Sequence, residues 1–445
     1  MKELFEWRLH PIDAEVLDGF VNRFCEEMPD AGAFRKDLID RTGTRIFDWI
    51  DHMLVPWSWI DEDLMKNAGF RKQEVTIGEM DLTLFDNDNS CLFPLFTGDK
   101  DEGRLYLKVE NIEEFARING GKERIQGKRW SPRRKMILST RGTLSFGAIE
   151  RRGYSGYQLL DHGDTLQYLE ILGRFNQRDR EINEDDAYTI LTEIVEDGDD
   201  LIGMDRTADA FFHSERRYWR SRNAAGRAQL MRQDELGLGW GNHDHHTFRS
   251  SRENMGRTVE VLERIGMRPR EKFYAGEQAG WGAQVLEHEA CGITVFADVD
   301  MTPDEKGGDF IHMWLDETGK LGTVGLWVGL HGESILSGGL HHLAVKVSFS
   351  DHIRKAGRFG MSPMKPFSNF PYLKQSFTQG ERWRVDKDRV RNLLEKKLIS
   401  RDQMRRFMKD GATGSHLELI ERNHGFKGFN QEAVSDIIKR TDPRA

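Results

Sequence analysis

The chain repeats itself, and the repeat narrows the folds open to it. Residues 142–157, beginning Gly142-Thr143-Leu144-Ser145-Phe146-Gly147-Ala148, resemble residues 414–429. Residues 107–115 resemble residues 383–390, and Asp51-His52-Met53-Leu54-Val55 resembles His341-His342-Leu343-Ala344-Val345. Residues 44–160 and 335–435 therefore read as copies of one unit, a duplicated supersecondary module.

The local pattern says what the unit is. Gly338-Gly339 breaks the preceding segment, and Leu343, Val345 and Val347 then alternate as a half-buried strand requires. A further module opens at Asn242-His243-Asp244-His245-His246-Thr247-Phe248-Arg249. A helix is expected from 254 to 265, with Met255, Val259, Val261, Leu262 and Ile265 as its apolar face and Gly266 as its stop. Strand signals follow at 272–275, 283–288 and 293–299. The order is strand, helix, strand, strand, strand, so the fold class expected is α+β, built from repeated βαβββ modules that form open barrels. Residues 1–43 read as N-terminal helices and 44–160 as a degenerate βαβββ module. Residues 161–235, charge-dense with apolar residues three and four apart, read as a helical connector. Two further modules cover 236–330 and 331–445, the last ending in a helix over 431–439.

Composition removes several classes of function. A net charge of -9 argues against nucleic acid as the main partner, since a phosphate-binding face brings a basic excess. No apolar run approaches the length of a membrane span, so no membrane partner is expected. Cys25, Cys91 and Cys291 are far apart and form no Cys-x-x-Cys pair, which disfavours a zinc knuckle and fits a reducing compartment. The charged start, Met1 to Arg8, lacks the apolar core of a signal peptide, and a cytoplasmic location is expected. Homo-oligomerisation is left open.

His52, His245 and His342 occupy the same slot at the start of an alternating run. Glu418 lies inside the apolar closing strand His416-Leu417-Glu418-Leu419, where a lone carboxylate is costly to bury unless paired or bound to a metal. The first copy has Gly147 and Ala148 at the matching positions and so lacks the carboxylate. Two histidines and one carboxylate on rigid strands make the facial triad of non-haem Fe(II) oxygenases, which leaves positions open for substrate and dioxygen. The candidate metal ligands are His245, His342 and Glu418. Among His243, His245 and His246 the choice stays open, although aligning Asp244-His245 with Asp51-His52 favours His245.

A strand-helix-strand-strand-strand module with ligands on its first and last strands resembles the vicinal-oxygen-chelate superfamily. Gly338-Gly339-Leu340-His341-His342-Leu343-Ala344 is similar to the second-histidine motif of the 4-hydroxyphenylpyruvate dioxygenase family. Residues 417–430, Leu417-Glu418 through Gly425-Phe426-Lys427-Gly428-Phe429-Asn430, resemble that family's closing signature. Asp244-His245-His246-Thr247-Phe248-Arg249-Ser250 is similar to the first-histidine motif of the 2-oxoadipate dioxygenase/decarboxylase family. There an arginine four residues after the ligand binds the substrate carboxylate, and Arg249 matches it. The resemblance spans about residues 237–440 and implies an Fe(II)-dependent dioxygenase that decarboxylates or hydroxylates a 2-oxo acid or related small carboxylate. No Pro-x-Asn-Glu-Pro segment precedes the second histidine, which argues against hydroxyphenylpyruvate itself.

Each functional reading has a plainer rival. Arg249 shares a strand face with His245 and is expected in catalysis and substrate binding, against a surface arginine. Phe426 and Phe429 are expected to wall the pocket, against capping the core. Gln284 and His288 alternate on one strand, and Gln284 is expected to line the cavity. Glu421 and Arg422 read equally well as a surface salt bridge. An extradiol ring-cleaving dioxygenase would use the same triad, and a non-catalytic binding protein could keep the same fold.

Overall fold

The computed structural model describes residues 7–444 except 88, 99, 122–123, 161–164, 277–278 and 431–440. The terminal helix expected over 431–439 lies outside the described residues. Helices α1 (Pro11–Glu27) and α2 (Pro29–Asp37) open the chain. A first unit follows: β1 (Ile50–Pro56), α3 (Glu62–Asn67), β2 (Arg71–Ile77), β3 (Met80–Asp86) and β4 (Leu95–Gly98). A second contains β5 (Gly103–Val109), α4 (Ile112–Asn119), β6 (Arg133–Arg141) and β7 (Leu144–Arg151). Residues 50–151 thus hold two units rather than the single module their sequence suggests. The run at 107–109 is the first strand of its own unit, and the Asn111 side chain caps the helix behind it through the amides of Glu113 and Glu114.

Helices α5 (Thr165–Gln177), α6 (Glu184–Ile202), α7 (Met204–Arg222) and α8 (Ala224–Asp234) fill the connector. The second half then repeats the plan. Its first unit is β8 (His243–Arg249), α9 (Met255–Arg264), β9 (Arg268–Tyr274), β10 (Trp281–His288) and β11 (Ile293–Asp300). Helix α10 (Thr323–His331) crosses to the last unit. That unit holds β12 (His342–Lys346), α11 (Phe349–Lys355), β13 (Ser368–Asn369), β14 (Leu373–Phe377), β15 (Glu381–Trp383), α12 (Lys387–Glu395), α13 (Arg401–Asp410) and β16 (Ala412–Arg422).

Each half is one curled sheet. The first runs β2-β3-β4-β1-β5-β7-β6, and the second β13-β14-β16-β12-β8-β11-β10-β9 with β15 on β16. In each, the first and last strands of a unit pair in parallel, as β8 does with β11 and β12 with β16. The two units then meet through an antiparallel central pair, β1 with β5 and β8 with β12.

Alternation along the strands sorts side chains between two faces. On the outer face of the second sheet, Phe248, Leu343, Val345, Leu417 and Leu419 join one core with the connector helices, including Phe211, Phe212 and Trp219. On the first sheet, Met53, Leu105, Leu107 and Phe146 pack with α1, α2 and α4. The helices therefore cover the convex faces, and the concave faces are left for ligands. No helix among the described residues is long and apolar enough to cross a membrane.

Candidate metal centre

The site is built where β8, β12 and β16 run side by side. In strict alternation His243 and His245 would share a face. They do not, because β8 carries an extra residue: His246 pairs with Leu343 and His243 with Val345, three steps on β8 against two on β12. This bulge turns His245 to the concave side and leaves His243 with His246, ring centroids 5.4 Å apart. His243 Nδ1 lies 2.9 Å from the Trp240 carbonyl, and His246 packs on Phe212. Neither lies with His342 and Glu418, whereas His245 does.

His245, His342 and Glu418 converge. Glu418 Oε2 lies 3.1 Å from His245 Nε2 and 3.1 Å from His342 Nε2. All three are buried, at 3%, 8% and 2% exposure, and they form a group able to hold a metal ion. The backbone explains the meeting. His342 lies beside Thr247 across the antiparallel pair, and Glu418 lies beside Ala344 across the parallel pair.

The surrounding hydrogen bonds orient the donors. His245 Nδ1 is 2.9 Å from Asp244, whose two oxygens are held by Arg422 Nε and Nη2 at 2.7 and 3.0 Å. A histidine tied at Nδ1 presents Nε2 to a metal, the arrangement that fixes tautomer and ring angle in metal sites. Gln375 donates to Glu418 Oε1 at 2.8 Å, leaving Oε2 toward the histidines. Burial pulls the pKa of His245 down, but Glu418 and Asp244 more than offset it and hold the imidazole up at about 9. Burial also works against ionised Glu418, yet the two histidines hold it well below the ordinary carboxylate range. Glu418 thus stays ionised, paired with His245.

Beside this group is a small cavity of about 70 Å³ walled by Phe273, Phe296, Phe377 and Phe429. Phe429 stands edge-on to both His245 and Phe296, with centroids 5.2 and 4.6 Å away. Arg249 lines the same cavity at 3% exposure, with Nε and Nη1 lacking hydrogen-bond partners. Its nearest anion is Asp298, 3.9 Å away. Burial lowers the Arg249 pKa to about 10, and burial pushes the Asp298 carboxyl up to about 7 against the pull of Arg249.

Two residues expected here are placed elsewhere. Gln284 faces the helices, because on β10 its neighbours Ala283 and Val285 take the cavity side; its amide nitrogen donates to the Glu271 and Val285 carbonyls at 3.0 Å each. Phe426 packs on Tyr372 in a patch with Ala344, Leu373 and Ile420 beneath the site. Arg422 is no surface group but a 7%-exposed link to Asp244. Sequence reasoning also missed Gln375, Asp298 and the pair His341–His416, whose Nε2 atoms are 3.1 Å apart next to His342. An isolated polar residue in an apolar strand was the available signal for Asp298, as it was for Glu418.

Paired units meeting through antiparallel first strands, with a His-His-Glu group on the concave face, make a fold of the vicinal-oxygen-chelate type. No family model and no curated protein matches the chain. Among solved structures it is similar to a mutant of 4-hydroxymandelate synthase from Streptomyces coelicolor, at 11% identity and a TM-score of 0.30 over 88% of this chain and 98% of that one. It is also similar to methylmalonyl-CoA epimerase from Mycobacterium tuberculosis, at 10% identity and a TM-score of 0.23 over 41% and 88%. A third is a xylose isomerase-like TIM barrel/4-hydroxyphenylpyruvate dioxygenase fusion protein, at 8% identity and a TM-score of 0.24 over 89% and 52%. Likeness of this size leaves the function to be read from the site itself.

Proposed function

We propose that the protein is a non-haem Fe(II)-dependent dioxygenase acting on a 2-oxo acid or related small carboxylate. One observation carries the reading. Three metal-donor atoms from three strands converge in a buried group, and a buried arginine whose Nε and Nη1 make no hydrogen bond shares their cavity. His245, His342 and Glu418 would hold the metal, and the donor set fits: two imidazole nitrogens, His245 giving up its proton on binding, and one carboxylate, oriented by Asp244 and Gln375. Fe(II) so held supplies open coordination positions for the substrate's oxygens and for dioxygen.

The protein's own residues do the rest. Arg249, with Nε and Nη1 free of hydrogen bonds, would take a substrate carboxylate in charge-assisted hydrogen bonds. As that carboxylate arrives, Asp298 loses its hold on Arg249, and a carboxyl already raised to about 7 takes up a proton, so the cavity does not gather excess negative charge. Phe296, Phe377 and Phe429 exclude water and fix the orientation of whatever sits between Arg249 and the triad. The small cavity favours a short substrate.

Oxygen uptake by the Fe(II)-loaded enzyme, over a panel of 2-oxo acids and a panel of catechols, tests this. Uptake with a 2-oxo acid, matched by CO2 release, is expected. Uptake with catechols alone would replace the reading by ring cleavage, and no uptake with either would overturn it.

A further inference from the structure

The first sheet carries the same scaffold with different chemistry at its centre. Strand β1 has the same bulge as β8, since Ile50 and His52 face the adjacent residues Leu107 and Tyr106. Asp51 binds His52 Nδ1 at 2.6 Å and is held by Arg151 Nε and Nη2 at 2.6 and 2.8 Å, just as Asp244 binds His245 and is held by Arg422. Register then fixes the other equivalences. Leu54 faces Arg104 where Thr247 faces His342, and Tyr106 faces Gly147 where Ala344 faces Glu418. Lys135 faces Ile149 where Gln375 faces Ile420. The second histidine has become Arg104, the carboxylate Gly147, and the carboxylate's partner Lys135.

These changes remove a metal site and leave cations in its place. Arg104, Lys135 and Arg133 line a cavity of about 380 Å³ on the concave face. Arg133 is 2% exposed, and its Nε and Nη1 have no hydrogen-bond partner among the described residues. A buried guanidinium left so is costly unless something anionic completes it. Among the described residues, Arg104 alone of the three has a carboxylate within 4 Å, Glu102 at 2.9 Å. The rest of the lining is largely apolar and aromatic, with Leu54, Met80, Leu82, Phe96 and Tyr157, and it includes one carboxylate, Glu79. Burial and the neighbouring Arg133 and Arg104 lower the Lys135 pKa to about 8.

We propose that this first-half cavity is a binding site for a small organic anion, a carboxylate joined to an apolar or aromatic body, held by Arg133, Arg104 and Lys135. Its volume suits such a molecule. The pairing of a cationic end with an apolar wall selects against a bare inorganic anion. The assignment does not depend on the chemistry of the second sheet.

Benzoate is a suitable probe, titrated into the full-length protein by ligand-observed NMR. An Arg249→Met background removes the buried arginine of the second-sheet cavity, which could also take a carboxylate. One saturable site is expected, weakened at least tenfold by Arg133→Met and by Arg104→Gln. Arg133→Met should also leave the thermal midpoint unchanged or raised, because the guanidinium it removes is unpaired. Inorganic phosphate should bind at least tenfold more weakly than benzoate. No saturable binding, binding unaltered in both variants, or phosphate bound as tightly as benzoate would each overturn the proposal.

Discussion

Arg422 grips both oxygens of Asp244, and through Asp244 it sets the ring of His245, 173 residues before Glu418 in the chain. The link makes a testable demand on metal affinity. Asp244→Asn and Arg422→Met leave all three donors in place but free the His245 ring. Loss of such an outer partner typically weakens metal binding by roughly 10- to 100-fold, and anaerobic Fe(II) titration should return a drop of that size. Unchanged affinity in both variants would mean that the ring is fixed by packing alone.

Arg249 should act on substrate rather than on metal. Its guanidinium lies in the cavity with Nε and Nη1 free of hydrogen bonds. Removing a charge-assisted hydrogen bond costs about 1.5–3 kcal/mol, so Arg249→Met should raise KM for the carboxylate substrate by about 10- to 100-fold with Fe(II) affinity unchanged. Steady-state oxygen uptake beside metal titration checks both halves. A variant that loses iron instead would make Arg249 a structural support of the triad.

The first copy should resist conversion back into a metal site. A Cβ added at Gly147 would lie 2.1 Å from the Met136 carbonyl oxygen, a backbone atom that cannot swing away. Gly147→Ala should therefore destabilise the fold by about 1–3 kcal/mol, the usual cost of overpacking, and Gly147→Glu should not yield a second iron site. Urea unfolding measures the first, and metal stoichiometry of any soluble Gly147→Glu protein measures the second.

The strand pattern made the modular fold and the three converging residues legible, because each lies on a strand whose alternation survives in the sequence. The rest depended on relations between distant strands. The extra residue in β8 that turns His243 away is visible only against β12. Arg422 looked like a surface charge because its partner Asp244 is 178 residues earlier. Residues 103–151 hid a unit of their own because Arg104 stands where a histidine would have announced it. Gln284 went astray for a simpler reason: alternation tells which residues share a face but not which face is concave.

Acid should weaken the protein through histidines outside the centre. His331 and His352 are buried, and burial holds both pKa values down at about 3. Between the ordinary value near 6.5 and that folded value, the unfolded chain binds a proton that the folded chain does not. Their contribution to stability is intact above about pH 6.5 and is lost as pH falls toward 3, at roughly 1.4 kcal/mol per pH unit for each. Thermal midpoints measured from pH 7 to pH 4.5 should fall, and His352→Gln should make the decline shallower. A flat profile would mean that these imidazoles take up protons without unfolding.

Anaerobic Fe(II) titration of the purified chain, alongside Glu418→Ala and His52→Ala, reaches the central claim most directly. The account predicts one Fe(II) per chain, lost in Glu418→Ala and kept in His52→Ala, because the centre belongs to the second sheet alone. An unaltered Fe(II) site in Glu418→Ala, or no Fe(II) bound by the unmodified chain, would contradict it.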